Sequence, residues 1–266
     1  MSTTSPRLIA TLRLRSPLLF WGGLILFIGA GLMVIPLMVD DRTVLGINTW
    51  IKPIKFFIST AIYIWTFSYL IHDIKRWPKL KSILKWTVFV IMFIEMVIIA
   101  VQGARAVRSH FNFDTDLDSL MFTVMGLLIL MNTVLIFILT FIYYFKHDHL
   151  HPTYLLGVRL GLLVFIAGNL IGGIMISNGQ HAVGVTDGGA GLPFVNWSTT
   201  GGDIRVGHFL GLHAIQLIPL CAYWIKENMS THTTQKILVA TVAGLYALII
   251  YLLTTQALAG TPLISS

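Results

Sequence analysis

Charge is what this sequence has least of. Only 11% of its 266 residues are Asp, Glu, Lys or Arg, against about a quarter in soluble domains. The side chains that would coat a water-facing surface are therefore missing. Cysteine occurs once, at Cys221, which excludes an internal disulfide and leaves a thiol whose expected role is packing. The Gly-rich stretch near residue 190 lacks the Lys-Ser/Thr of a phosphate-binding loop, and no His-Glu-x-x-His zinc motif occurs. No lysine lies deep in the last apolar run, where a retinal Schiff base would need one. A basic stripe interleaved with aromatics is also absent, so the net charge of +7 is no argument for nucleic acid. There is no internal repeat and no low-complexity linker.

What is present is long apolar runs. Hydrophobic residues make up 56% of the chain, and its mean hydropathy is +0.81. A helix rises about 1.5 Å per residue, so roughly 20 apolar residues cross the hydrocarbon. The runs predict seven membrane helices, over 18–39, 54–72, 86–104, 119–145, 154–177, 205–225 and 237–260. Two carry a charge inside, Glu95 in the third and Arg159 near the start of the fifth. A snorkelling Lys55 extends the second. The first run follows Arg7, Arg13 and Arg15 as a signal peptide would. At 22 residues it exceeds the 7–15 or so of a signal core, which predicts an uncleaved anchor. The connections are short except at about 178–204. The expected architecture is therefore an all-α integral membrane protein: one polytopic domain over 1–266, with a Gly-rich cap loop between helices five and six.

Basic residues set the expected orientation. An N-terminus in the cytoplasm puts Arg7, Arg13, Arg15, Lys75, Arg76, Lys79, Lys81, Lys85, Lys146, Arg159, Lys226 and Lys236 on the inner side. Only Arg42, Lys52, Lys55, Arg105, Arg108 and Arg205 then fall outside, and Asp40, Asp41, Asp114, Asp116, Asp118, Asp187 and Asp203 outweigh them. The C-terminus is then extracytoplasmic and the membrane a cell's inner (plasma) membrane. The inner connections read as solvated basic and histidine clusters, including the His147–His151 run.

Chemistry-bearing residues gather on the outer half. In the third helix, Gln102 falls about 20°, Ser109 about 40° and Arg105 about 80° from Glu95 at roughly 100° per residue. One face thus carries polar groups from mid-membrane outward. Glu95 reads either as a functional intramembrane acid or as a neutral carboxyl gluing two helices. In the sixth helix His208 and His213 lie five residues apart and point about 140° from one another. A shared metal would therefore need His110 or His181 as well. Gly207, Gly211 and Ala214 form a small-residue stripe for a close neighbour. Asp203 can cap the sixth helix.

Lys52, Lys55, Arg105, Arg108 and Arg205 suggest an anion site, unless the nearby aspartates neutralise them within the fold. The leading functional expectation is an outward-facing polar pocket in a metal- or haem-dependent membrane enzyme or redox protein. Its substrate would be a small anionic or lipid-like molecule. Glu95, Gln102, His208 and His213 would act on it. Lys55, Arg105, Arg108, Arg205, Asn169, Trp197 and Gln216 would hold it, and His110, His181, His208 and His213 are the candidate metal ligands. A small-solute or proton-coupled transporter or channel would instead line its path with Glu95, Gln102 and Arg105. A non-catalytic assembly factor or receptor would use the loop to bind a partner.

Overall fold

The computed structural model describes residues 8–145 and 150–265. Arg7, Lys146 and His147 to His149 of the histidine run lie outside them. The elements are helices α1 (Leu8–Arg15), α2 (Pro17–Leu32) and α3 (Val34–Val39), strands β1 (Thr43–Val44) and β2 (Ile47–Asn48), then α4 (Ile51–His72), α5 (Pro78–Ala104), α6 (Asp116–Phe145) and α7 (Pro152–Asn178). Strands β3 (Ala182–Val183) and β4 (Gly202–Asp203), α8 (Arg205–Asn228) and α9 (His232–Leu258) complete it. Seven helical segments are long and apolar enough to cross a membrane, α2 and α3 together forming the first. The chain is a multi-pass helical membrane protein.

Prolines explain several boundaries. Pro17, Pro78 and Pro152 sit in the first turns of α2, α5 and α7, where a missing N–H costs nothing and a fixed φ favours the helix. The α5 helix therefore begins at Pro78, eight residues before the charge-free run at 86. The first span breaks at Met33 because Pro36 cannot donate to Leu32 and its ring crowds that carbonyl.

By its packing the chain forms two compact units, Met1–Leu135 and Ile136–Ser266. In the first, α4 packs on α2 and α5. Glycines of α2 receive aromatic rings there. A Cβ at Gly29 would lie 2.8 Å from the Phe57 ring, one at Gly22 would lie 2.7 Å from Phe89, and Gly23 accommodates the Trp65 indole. Trp65 Nε1 donates to the Phe20 carbonyl at 3.1 Å. The β1–β2 hairpin turns through Leu45 (φ 51) and Gly46 (φ 81), the double positive φ of a tight hairpin turn.

In the second unit, α7 and α8 pack main chain against main chain. Gly157 faces Ala222, Gly161 faces Pro219, Gly168 faces Gly211 and Gly172 faces the His208 ring. A Cβ at Gly168 would stand 2.6 Å from the Gly211 carbonyl carbon. Small residues at this spacing let membrane helices approach closely. The expected stripe on α8 serves two neighbours rather than one: Gly211 admits α7, whereas Gly207 admits Thr254 of α9.

Candidate functional site

In the first unit Glu95 and Gln102 share a buried face of α5, while the helix ends at Ala104 and leaves Ser109 beyond it. Glu95 is 3% exposed and Gln102 fully buried. Gln102 Nε2 donates to Asp118 Oδ1 at 2.9 Å. Arg105 donates to both Asp118 Oδ1 and Gln102 Oε1 at 2.6 Å. Asp118 is the hub, and the start of α6 positions it: Thr115 Oγ1 accepts from the Asp118 N–H and donates to its Oδ2 at 2.7 Å. Thr115-Asp116-Leu117-Asp118 carries the Ser/Thr-x-x-acid capping pattern, a signal that marks Asp118 without any structure. About one and a half turns from the Glu95 level towards the Pro78 end, by the α4–α5 register set by Thr49–Gly103 and Lys81–His72, the Tyr63 hydroxyl donates to Asn132 Oδ1 at 2.9 Å. Glu95 itself stands apart, because its Oε1 is buried with no hydrogen-bond partner.

Beside this network, Arg42 grips Asp40 through two nitrogens and caps α5 by donating to the Ala104 carbonyl at 3.0 Å. Thr49 Oγ1 likewise donates to the Gly103 carbonyl at 2.6 Å. Arg42 and the Trp50 indole hold the Asp40 carboxyl well below the usual carboxylate range. His110 Nδ1 lies 3.3 Å from Lys52 Nζ and 3.0 Å from Ser109 Oγ, with the Phe56 and Phe122 rings close by. Arg108 pairs with Asp114 at 3.4 Å, and Lys55 is half-buried on α4.

In the second unit the segment between α7 and α8 is folded. Strands β3 and β4 pair, and Asp187 accepts from the His181 and Ala182 N–H groups while its Oδ2 lies 2.6 Å from His181 Nδ1. Burial pushes the Asp187 carboxyl up, but the His181 ring and the two main-chain donors outweigh it and hold it well below the ordinary range. Asp203 accepts from the Ser198 and Arg205 N–H groups and from the Arg205 guanidinium, which also reaches the Asn196 carbonyl. Ile204, not Asp203, holds the cap position of α8, yet the Asp203 side chain still satisfies a first-turn N–H.

His208 points into the α7–α8 contact, its Nδ1 2.8 Å from the Gly168 carbonyl oxygen. A carbonyl can only accept, so Nδ1 carries a proton, and in the neutral ring Nε2 keeps its lone pair. His213 faces elsewhere on α8, its ring 4.4 Å from that of Phe209, on which Trp197 packs at 5.9 Å. Asn169 donates to the Phe165 carbonyl at 2.9 Å. The Gln216 amide, turned to donate, meets the carbonyls of Leu212 and His213.

Each arginine of the expected anion set thus has an aspartate partner: Arg105 with Asp118, Arg108 with Asp114 and Arg205 with Asp203. Among the described residues, no three His, Cys, Asp or Glu side chains are grouped to hold an ion. The two best-formed hollows, both in the second unit, measure about 10 Å³ each, room for one water and not for a substrate. Spacing alone did not single out Asp118, Tyr63, Asn132 or Gly168. No protein-family model matches the chain, nor does any curated protein or solved structure.

Proposed function

We propose that this membrane protein is a redox protein or enzyme in which His208 holds a cofactor that brings most of its own donor atoms. Haem is the group whose ligand count fits, although the best-formed hollows have room for only one water each. The observation carrying this reading is the 2.8 Å contact from His208 Nδ1 to the Gly168 carbonyl. Ligating histidines typically give their second N–H to a carbonyl or carboxylate, which fixes the ring and raises the basicity of the free nitrogen. His181 is oriented in the same way by Asp187. A bare ion needs three or four protein donors, whereas haem supplies four ring nitrogens and asks the protein for one or two axial ligands. One-electron chemistry at iron is what the bound group would contribute. The chain's own part is to lock the His208 tautomer and to let the ring pack against α7 at Gly172.

The balance of basic residues supports a cytoplasmic N-terminus, an extracytoplasmic C-terminus and residence in an inner membrane. The 179–204 segment then lies outside. A small anionic or lipid-like substrate, if Arg105, Arg108 or Arg205 orients it, must compete with their aspartates.

The visible spectrum and metal content of detergent-purified protein test the reading. A haem Soret band should be present, should vanish in His208→Ala and should persist in Arg108→Gln. A folded wild-type protein from haem-replete cells that is colourless and metal-free would refute it.

A further inference from the structure

Glu95 calls for a separate explanation. It sits well inside α5, 3% exposed, with a carboxyl oxygen that meets no donor. Two other buried polar side chains of this unit are satisfied from a neighbouring helix, Gln102 by Asp118 and Tyr63 by Asn132. A carboxyl kept as glue between helices would be bonded in the same way. An ionised carboxylate without a partner is expensive at this depth. A neutral acid is far cheaper, and the ligand it lacks is small enough to need no cavity.

Along α5 itself the surroundings are lopsided, although the Tyr63–Asn132 pair on the neighbouring helices lies towards the Pro78 end. Towards the Asp118 end, Gln102 lies seven residues on, about 10 Å along the helix and about 20° round it. There it meets Asp118 and a half-exposed Arg105. Towards the other end of α5, the buried positions Met92, Ile91, Val88 and Leu84 are all apolar. The α5 terminus on that side, Pro78, is 17 residues away, roughly 25 Å.

We infer that Glu95 is a proton-binding site that loads and unloads through Gln102 and Asp118, from the end of the first unit that carries Arg105. The proton passes between the Glu95 carboxyl and the Gln102–Asp118 pair over transient water, and no covalent bond other than O–H is made or broken. Gln102, held on both sides by Asp118 and Arg105, is a positioning residue that orients this water. The site uses residues of the first unit alone, so it stands or falls independently of His208.

Infrared difference spectroscopy of the full chain in lipid vesicles tests this. The protonated-carboxyl C=O band is assigned by its loss in Glu95→Gln and its shift in Glu95→Asp. On transfer from H2O to D2O the wild-type band should shift promptly. It should shift about tenfold more slowly in Gln102→Leu, the rate equivalent of one lost hydrogen-bonding group. Ser68→Ala, near the opposite end of α4, should leave the rate unchanged. A band that never shifts identifies a sealed structural acid and overturns the proposal. Equal slowing in Gln102→Leu and Ser68→Ala, or none in Gln102→Leu, overturns the route. Should Glu95→Gln fail to accumulate, labelling of the wild type by dicyclohexylcarbodiimide, which attacks protonated carboxyls in lipid, replaces the assignment. Peptide mass should then place the adduct on Glu95, and an unlabelled Glu95 counts against the site.

Discussion

The two units hold their helices together by different means. In the second, α7 and α8 meet through glycines, and the approach is main chain to main chain. In the first, the α2 glycines receive aromatic rings, and side-chain bonds such as Gln102–Asp118 and Tyr63–Asn132 join α5 to α6 and α4 to α6. Lipid tails are as apolar as the helices, so burial alone cannot drive association; close packing and interhelical hydrogen bonds remain. Both units use hydrogen bonds between helices, such as Thr153–Gln235 in the second, and they differ in whether their glycines face main chain or rings. The consequence for chemistry is visible in the unpartnered atoms. All those found among the described residues, on Ser68, His72 and Glu95, belong to the first unit, where side chains rather than backbones set the spacing.

The largest effect that would break this contrast is a side chain between two backbones. Gly168→Val should destabilise the protein by about 3 kcal/mol, read as thermal unfolding in detergent. Gly23→Ala in the first unit displaces only an indole and should cost about 1–2 kcal/mol. Equal losses would erase the distinction.

A second effect comes from Asp187. Its carboxyl is held below the unfolded value of about 3.9, so it favours the folded loop at neutral pH. That contribution fades as pH falls below about 4 towards the folded value. Protease resistance of the 179–204 segment should therefore drop in strong acid, and Asp187→Asn should lower it at pH 7 and flatten the acid dependence. Smaller still is Tyr63→Phe, which should cost about 1 kcal/mol for its hydrogen bond to Asn132. In a double-mutant cycle with Asn132→Leu the two losses should fall short of additivity. The smallest belongs to Glu95. Glu95→Leu should be neutral or mildly stabilising, since it removes an unbonded oxygen, and a marked loss of stability would mark it as glue.

The seven spans were legible because charge-free length is a direct physical requirement of the bilayer. Their starts were not, as charge-free windows ignore helix chemistry: Pro78 begins α5 eight residues before the apolar run does. The division at Leu135 and Ile136 falls inside the continuous α6, so no linker composition could announce it. Within the candidate site, the shared face of Glu95 and Gln102 follows from helical period alone. Asp118 was readable through its capping pattern but looks like one surface aspartate among several. The tautomer of His208 depends on a carbonyl 40 residues away, which no local pattern encodes.

The break at Met33 leaves α3 without a single buried side chain. The whole first span, Pro17–Val39, has 23 residues and would reach about 35 Å if straight, against roughly 30 Å of hydrocarbon. A span hinged near one end can absorb hydrophobic mismatch by swinging its last turn and a half, sparing the packed stretch before it from tilting. Thin and thick bilayers should thus be tolerated at the cost of this one exposed turn.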